Sequence, residues 1–193
     1  ENGICKCPNT IVGDTATISG IVYTVVDNST IAAQIANNNV NLCTTKVTNM
    51  SRLFKDNTSF NSNIGNWDTS NVTGMSNMFD EASSFNQDIS NWDVAKVTNI
   101  SGMFQNATSF NQSIGDWDVS NVTDMSQMFL QNQSFNQDIG SWVTSKVTDM
   151  YSMFNQASAF NQDISGWNTA AVTNMDRMFE SAISFNQNIS GWC

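Results

Sequence analysis

A 25-residue period constrains this chain more than any other feature of it. Residues 85–109 read FNQDISNWDVAKVTNISGMFQNATS, and the same unit restarts at Phe60, Phe110, Phe135, Phe160 and Phe185. Aligned copies give columns that hardly vary: Phe-Asn, an Ile four residues after the Phe, a Trp three later, then Val-Thr, Met and Met-Phe. The Trp column holds Trp67, Trp92, Trp117, Trp142, Trp167 and Trp192, which are all six tryptophans of the protein. A fixed period of this size marks a repeat architecture, in which each unit covers the apolar face of the next. From Val47 the repeat runs without insertion, so residues 47–193 read as six units, the last incomplete, in one continuous stack.

Spacing inside a unit sets the expected elements. Ile89, Trp92 and Val94 lie three and then two residues apart, as in a short, curved strand with its side chains inward. Val97, Ile100, Met103-Phe104 and Ala107 follow helical spacing. Thr98 is placed to cap that short helix, and Thr recurs there as Thr48, Thr73, Thr123, Thr148 and Thr173. The expected fold is therefore an α/β repeat, a right-handed solenoid with one short parallel strand and one short helix or helical turn per coil. Residues 1–46 fall outside the period and read as an N-terminal cap. Residues 16–18 and 21–26 suggest a hairpin around Ser19-Gly20. Ser29-Thr30 offers hydroxyls to a helix over 31–36, with Ile31 and Ile35 on one face. Leu42 falls at the Trp phase, which makes residues 41–44 the first strand of the stack.

The pattern Ile-x-x-Trp-x-Val followed by Val-x-x-Ile-x-x-Met-Phe resembles the BspA-like leucine-rich-repeat surface proteins. FNQDISNWDV followed by VT-(N/D)-M-S-x-MF is similar, more closely, to the 25-residue bacterial surface-protein repeat of mycoplasmas. The resemblance covers residues 47–193 and implies a leucine-rich-repeat-like solenoid on secreted or cell-surface proteins, often in large adhesins. It carries no catalytic residues.

Composition narrows the function classes. Net charge is −10 with no His, which disfavours nucleic acid and anionic membranes as partners. No apolar run approaches the ~18 residues that span a bilayer, so direct membrane insertion is not expected. Enzyme chemistry lacks its usual parts: no His base, no Gly-rich phosphate loop, no recognisable nucleophile, and no cofactor is implied. Cys5, Cys7, Cys43 and Cys193 are the four cysteines. They read as a disulfide framework in an oxidising, extracellular or cell-surface setting. Cys43 and Cys193 share a repeat phase but stand six periods apart, about 29 Å at the spacing of stacked strands and far beyond disulfide reach. Cys43 is therefore assigned to Cys5 or Cys7, and Cys193 to a cysteine beyond this end or to a link between two chains.

Several columns invite functional readings. Asp68, Asp93 and Asp118 stack, as do Asp88, Asp138 and Asp163; the first three are weak calcium candidates, with solvated surface as the favoured reading. The Asn61-to-Asn186 column reads as a structural amide ladder, and the Met50, Met75, Met125, Met150 and Met175 column as core. Two functions remain in contention. The first is a binding module for a glycan or protein, whose exposed strand face includes Asn91, Asp93, Asp116 and Asp118. The second is a structural spacer or stalk in a large adhesin. Ice binding by the Thr array is a lesser third. An open C-terminal coil also suggests end-to-end association and a stack continuing past Cys193.

Overall fold

A computed structural model describes residues 4–192; residues 1–3 and Cys193 lie outside the described residues, and with them the pairing assigned to Cys193. Among the described residues the regular elements all fall before residue 47: strands β1 (Thr15–Ile18) and β2 (Ile21–Asp27), helix α1 (Ile31–Ala36) and strand β3 (Leu42–Lys46). β1 and β2 pair antiparallel across the Ser19-Gly20 turn, and β2 pairs parallel with β3. Thr30 is the residue before α1, yet its hydroxyl caps nothing in the helix. The Asp27 carboxylate organises the entry instead, accepting from the N–H groups and hydroxyls of both Ser29 and Thr30.

From residue 47 onward the 25-residue units lie against one another, but not by the expected elements. No helix forms among the described residues of the repeats, so the helix expected over Val97–Ala107 spacing is absent. A ribbon of consecutive tight turns stands in its place. Leu53, Lys55 and Asn57 N–H close turns onto Met50, Arg52 and Phe54 carbonyls, while Met50, Arg52, Phe54 and Asp56 N–H reach the next unit, at Gly74, Ser76, Met78 and Asp80. Left-handed backbone at Arg52 and Asp56, and at the equivalent residues of every later unit, is what alternates the N–H direction. The apolar spacing fits a helix as well, because turns closing every three residues also return side chains to one face. A helix this short is marginal alone and turns all its N–H groups inward, whereas the ribbon gives half of them to the neighbouring unit.

The parallel pairing is displaced as well. Single bridges join Asn49, Gly74, Asn99, Asp124, Asp149 and Asn174 in series, within the Val-Thr-Asn/Asp-Met segment. The Ile-x-x-Trp segment is a turn, with Trp92 N–H bonded to the Ile89 carbonyl at 3.1 Å. Nor do the threonines cap helices. Thr73 N–H and Oγ1 both donate to the Thr48 carbonyl, and the same double bond recurs from Thr98, Thr123, Thr148 and Thr173.

The core is columnar. All twelve phenylalanines stand in two columns, headed by Phe54 and Phe60, with rings 5.4–6.2 Å apart from unit to unit. Trp67, Trp92, Trp117, Trp142 and Trp167 are buried and Trp192 is half-buried. Each indole Nε1–H donates to an Ile carbonyl of the preceding unit, except that Trp67 uses Val40 of the cap. Ile31 of α1 is buried and Ile35 packs on the same cluster, closing the first unit's outer face. Asn28 imitates a preceding unit there, its Oδ1 accepting the N–H groups of Thr48 and Asn49.

Candidate binding site

The polar columns are largely engaged in the backbone. Three columns of the repeat carry an Asp or Asn whose Oδ1 accepts the N–H two residues ahead, the turn that short polar side chains favour, with breaks at Ser113, Val143 and Gly74. One column runs through Asn63, Asp88, Asp138, Asp163 and Asn188, at 2.9–3.0 Å. A second runs through Asp68, Asp93, Asp118 and Asn168, at 3.0–3.2 Å. The third runs through Asn49, Asn99, Asp124, Asp149 and Asn174, at 2.8–3.1 Å. Asp and Asn interchange in all three because the turn needs only an acceptor oxygen.

These bonds lower several carboxyl pKa values. Ser90 and Ser165 hold Asp88 and Asp163 below the usual carboxylate range through backbone and side-chain hydrogen bonds, and Ser120 does the same to Asp118. Asp68 differs in being buried. Burial pushes its carboxyl up, but hydrogen bonds from Thr45 and Ser70 and the nearby Lys6 charge outweigh that and leave it lowered. Thr45 Oγ1 reaches Asp68 Oδ2 at 2.7 Å, and Ser70 Oγ reaches Oδ1 at 2.7 Å. The calcium candidates Asp68, Asp93 and Asp118 are thus each tied to their own turn. Among the described residues no group of three acidic or cysteine side chains gathers as a metal site.

The Asn ladder is intermolecular in style but internal to the stack. Asn61 Oδ1 accepts the Asn86 N–H at 3.0 Å and the Gln87 amide at 2.9 Å, and Asn86, Asn111, Asn136 and Asn161 repeat the arrangement.

The candidate face keeps polar atoms that the fold does not use. Asn91, Asp93, Asp116 and Asp118 are all exposed. Asn91 and Asp116 occupy one column in adjacent units, and Asp93 and Asp118 the next. At its N-terminal edge the face runs into a cleft of about 200 Å³, lined by Ile4, Lys6, Asp68, Ser70, Asn91 and Asp93. Cys5 N–H fixes that wall by donating to the Asn66 carbonyl at 2.9 Å. A disulfide between Cys7 and Cys43, Cα atoms 6.2 Å apart, pins the same segment to β3. Cys5 remains a buried thiol, pushed up mainly by burial. Sequence reasoning missed Lys6, because it lies outside the period and no spacing relates it to the repeats.

A family described as "Mycoplasma protein of unknown function, DUF285" matches residues 23–129 and 112–193. No curated protein and no solved structure matches the chain.

Proposed function

Because the chain belongs to this mycoplasma-type repeat family of unknown function, we propose that it is a non-catalytic module of a bacterial cell surface that binds a glycan or a protein. The observation that carries the reading is the cleft where the cap segment meets the repeats. Specific recognition needs a place where repetition is broken, and Lys6 breaks it opposite Asn91 and Asp93. Asn91 supplies an amide donor and acceptor, Asp93 a free carboxylate oxygen and Lys6 an ammonium group, a set suited to hydroxyl-rich ligands or peptide polar groups. The disulfide supports a secreted setting. The architecture we propose is a right-handed, leucine-rich-repeat-like solenoid of the BspA-like kind, with the turn ribbon in the helical position.

The second reading, a spacer that carries other domains away from the cell, is favoured by the uniform register of the ribbon bonds. Ice binding by the Thr column is disfavoured by its bonding, since Thr73, Thr98, Thr123, Thr148 and Thr173 direct their hydroxyls to backbone carbonyls. A glycan array probed with the intact chain and with an Asn91→Ala, Asp93→Asn variant separates the readings. Asp93→Asn preserves the turn acceptor and removes only charge. Saturable binding that the variant loses supports the module; silence from both supports the spacer, and binding that the variant retains puts the site elsewhere.

A further inference from the structure

Four backbone N–H groups leave each unit toward the next, at every other residue of the turn ribbon. Across all five junctions each finds the carbonyl 24 residues ahead, at 2.8–3.1 Å. The corresponding donors of the last described unit are Met175, Arg177, Phe179 and Ser181, and among the described residues none of these N–H groups has a partner. The same face carries single acceptors that earlier units fill. The Thr148 carbonyl takes the Thr173 N–H, the Ile164 carbonyl takes the Trp192 indole and Asn161 Oδ1 takes the Asn186 N–H. Among the described residues their equivalents, the Thr173 carbonyl and Asn186 Oδ1, accept nothing, and the Ile189 carbonyl takes the Trp192 N–H of its own turn but no indole. Between them Met175, Phe179, Ile189 and Trp192 line an apolar depression of about 440 Å³. At its rim Arg177 and Glu180 pair with each other at 3.8 Å.

We propose that this face docks the carbonyl-bearing face of another, uncapped 25-residue repeat unit, in the register of the five internal junctions. The donor row selects the occupant. Four N–H groups at alternate residues need four carbonyls at alternate residues, and an indole, a Thr N–H and an Asn N–H must stand at the three lone acceptors. A repeat unit presents that whole set together with Phe and Trp rings for the depression. A second copy of this chain does not. Two copies meeting by this face oppose donor row to donor row, and the acceptors available are scattered on separate segments. The chain's own first unit keeps the carbonyls of Asn49, Ser51, Leu53 and Lys55 without donors among the described residues, but its Thr48 N–H is taken by Asn28, its Trp67 indole by Val40, and its Met50 and Phe54 are buried with Ile31 of α1. End-to-end association of identical copies through this face is therefore not what its chemistry fits.

Hydrogen exchange tests this directly. One repeat, a copy of residues 118–142, is inserted between Trp192 and Cys193, which preserves phase. In the unaltered chain the amides of Met175, Arg177, Phe179 and Ser181 exchange freely while those of Met150, Ser152, Phe154 and Gln156 are protected. With the insert, the four slow by at least ~10-fold as they join the protected ladder. An insert whose copies of Met125, Met128 and Phe129 are changed to Ser leaves them fast. Free exchange in the intact insert, with the Met150–Gln156 amides still protected, overturns the proposal. So does protection of the same four amides in the unaltered chain as its concentration rises, which assigns the face to a second copy.

Discussion

Trp117→Ala measures how the stack holds together. Trp117 is 4% exposed, its ring lies 6.5 Å from that of Phe104, and its indole donates to the Ile89 carbonyl at 3.2 Å. Truncating a buried aromatic costs about 3–5 kcal/mol in lost transfer energy and residual cavity. The Ile89 carbonyl keeps the Trp92 N–H but loses the indole, one hydrogen bond of about 1 kcal/mol. Both flanks are packed units, so little collapse relieves the cavity, and about 5 kcal/mol is expected. Trp192 makes the same indole bond, to Ile164 at 3.2 Å, and stacks on Trp167 at 6.3 Å, but it is only half-buried. Its truncation should cost about 2–3 kcal/mol, because part of its surface is already hydrated. Urea unfolding followed by circular dichroism and by the remaining Trp fluorescence gives both values, provided the two probes coincide. Equal losses at the two positions would refute the argument that a unit's stability comes from neighbours on both sides.

Three further outcomes follow from the turn and charge networks. Val143 sits, 55% exposed, where the second Asx column needs an acceptor, and Val143→Asn should restore the bond to the Ser145 N–H and raise stability by about 0.5–1 kcal/mol in the same melts. Lys55 pairs with the buried Asp80, whose Oδ1 has no partner; Lys55→Met should therefore cost about 2–3 kcal/mol, while Asp80→Leu, matching Leu130 in the same column, stays within about 1 kcal/mol. Asp68 has a folded pKa below its unfolded value of about 3.9, so its contribution is complete above that pH and disappears as pH falls through the folded pKa. Acid titration of stability should accordingly be shallower in Asp68→Asn than in the parent below about pH 4, and parallel curves would contradict the burial and bonding of that carboxyl.

Much of the fold was legible because a repeat writes its core as columns. The Trp column needed no structure, and neither did the hairpin and helix of the cap. What the sequence concealed was the destination of backbone N–H groups. Val97, Ile100, Met103 and Ala107 follow at steps of three, three and four residues, and that spacing serves an α-helix and a chain of tight turns equally well. The discriminating signal was the left-handed positions. At Arg52, Asn77, Gly102, Gln127, Ser152 and Arg177 only Asn and Gly advertise such a conformation, and four of six copies hide it. The Asx columns were more readable: Asp and Asn interchange freely, and Ser or Gly usually follows two places on. Read that way, Asp93 and Asp118 are turn formers before they are ligands.

That distinction narrows where recognition can occur. A polar side chain already bonded to its own backbone offers a ligand only its spare oxygen, and the three Asx columns, the Thr column and the Asn–Gln ladder are all in that state. Asn91 and Asp116 are exposed and outside every one of these networks. Lys6 stands at one end of their row, carried by a segment that a disulfide and the Cys5–Asn66 bond hold in place. Cys7 rather than Cys5 takes Cys43, a choice spacing alone left open, and it fixes the residue immediately after Lys6. On the binding reading proposed above, selectivity for a particular ligand would originate there, where a cation that the 25-residue period does not reproduce stands beside amide and carboxylate groups.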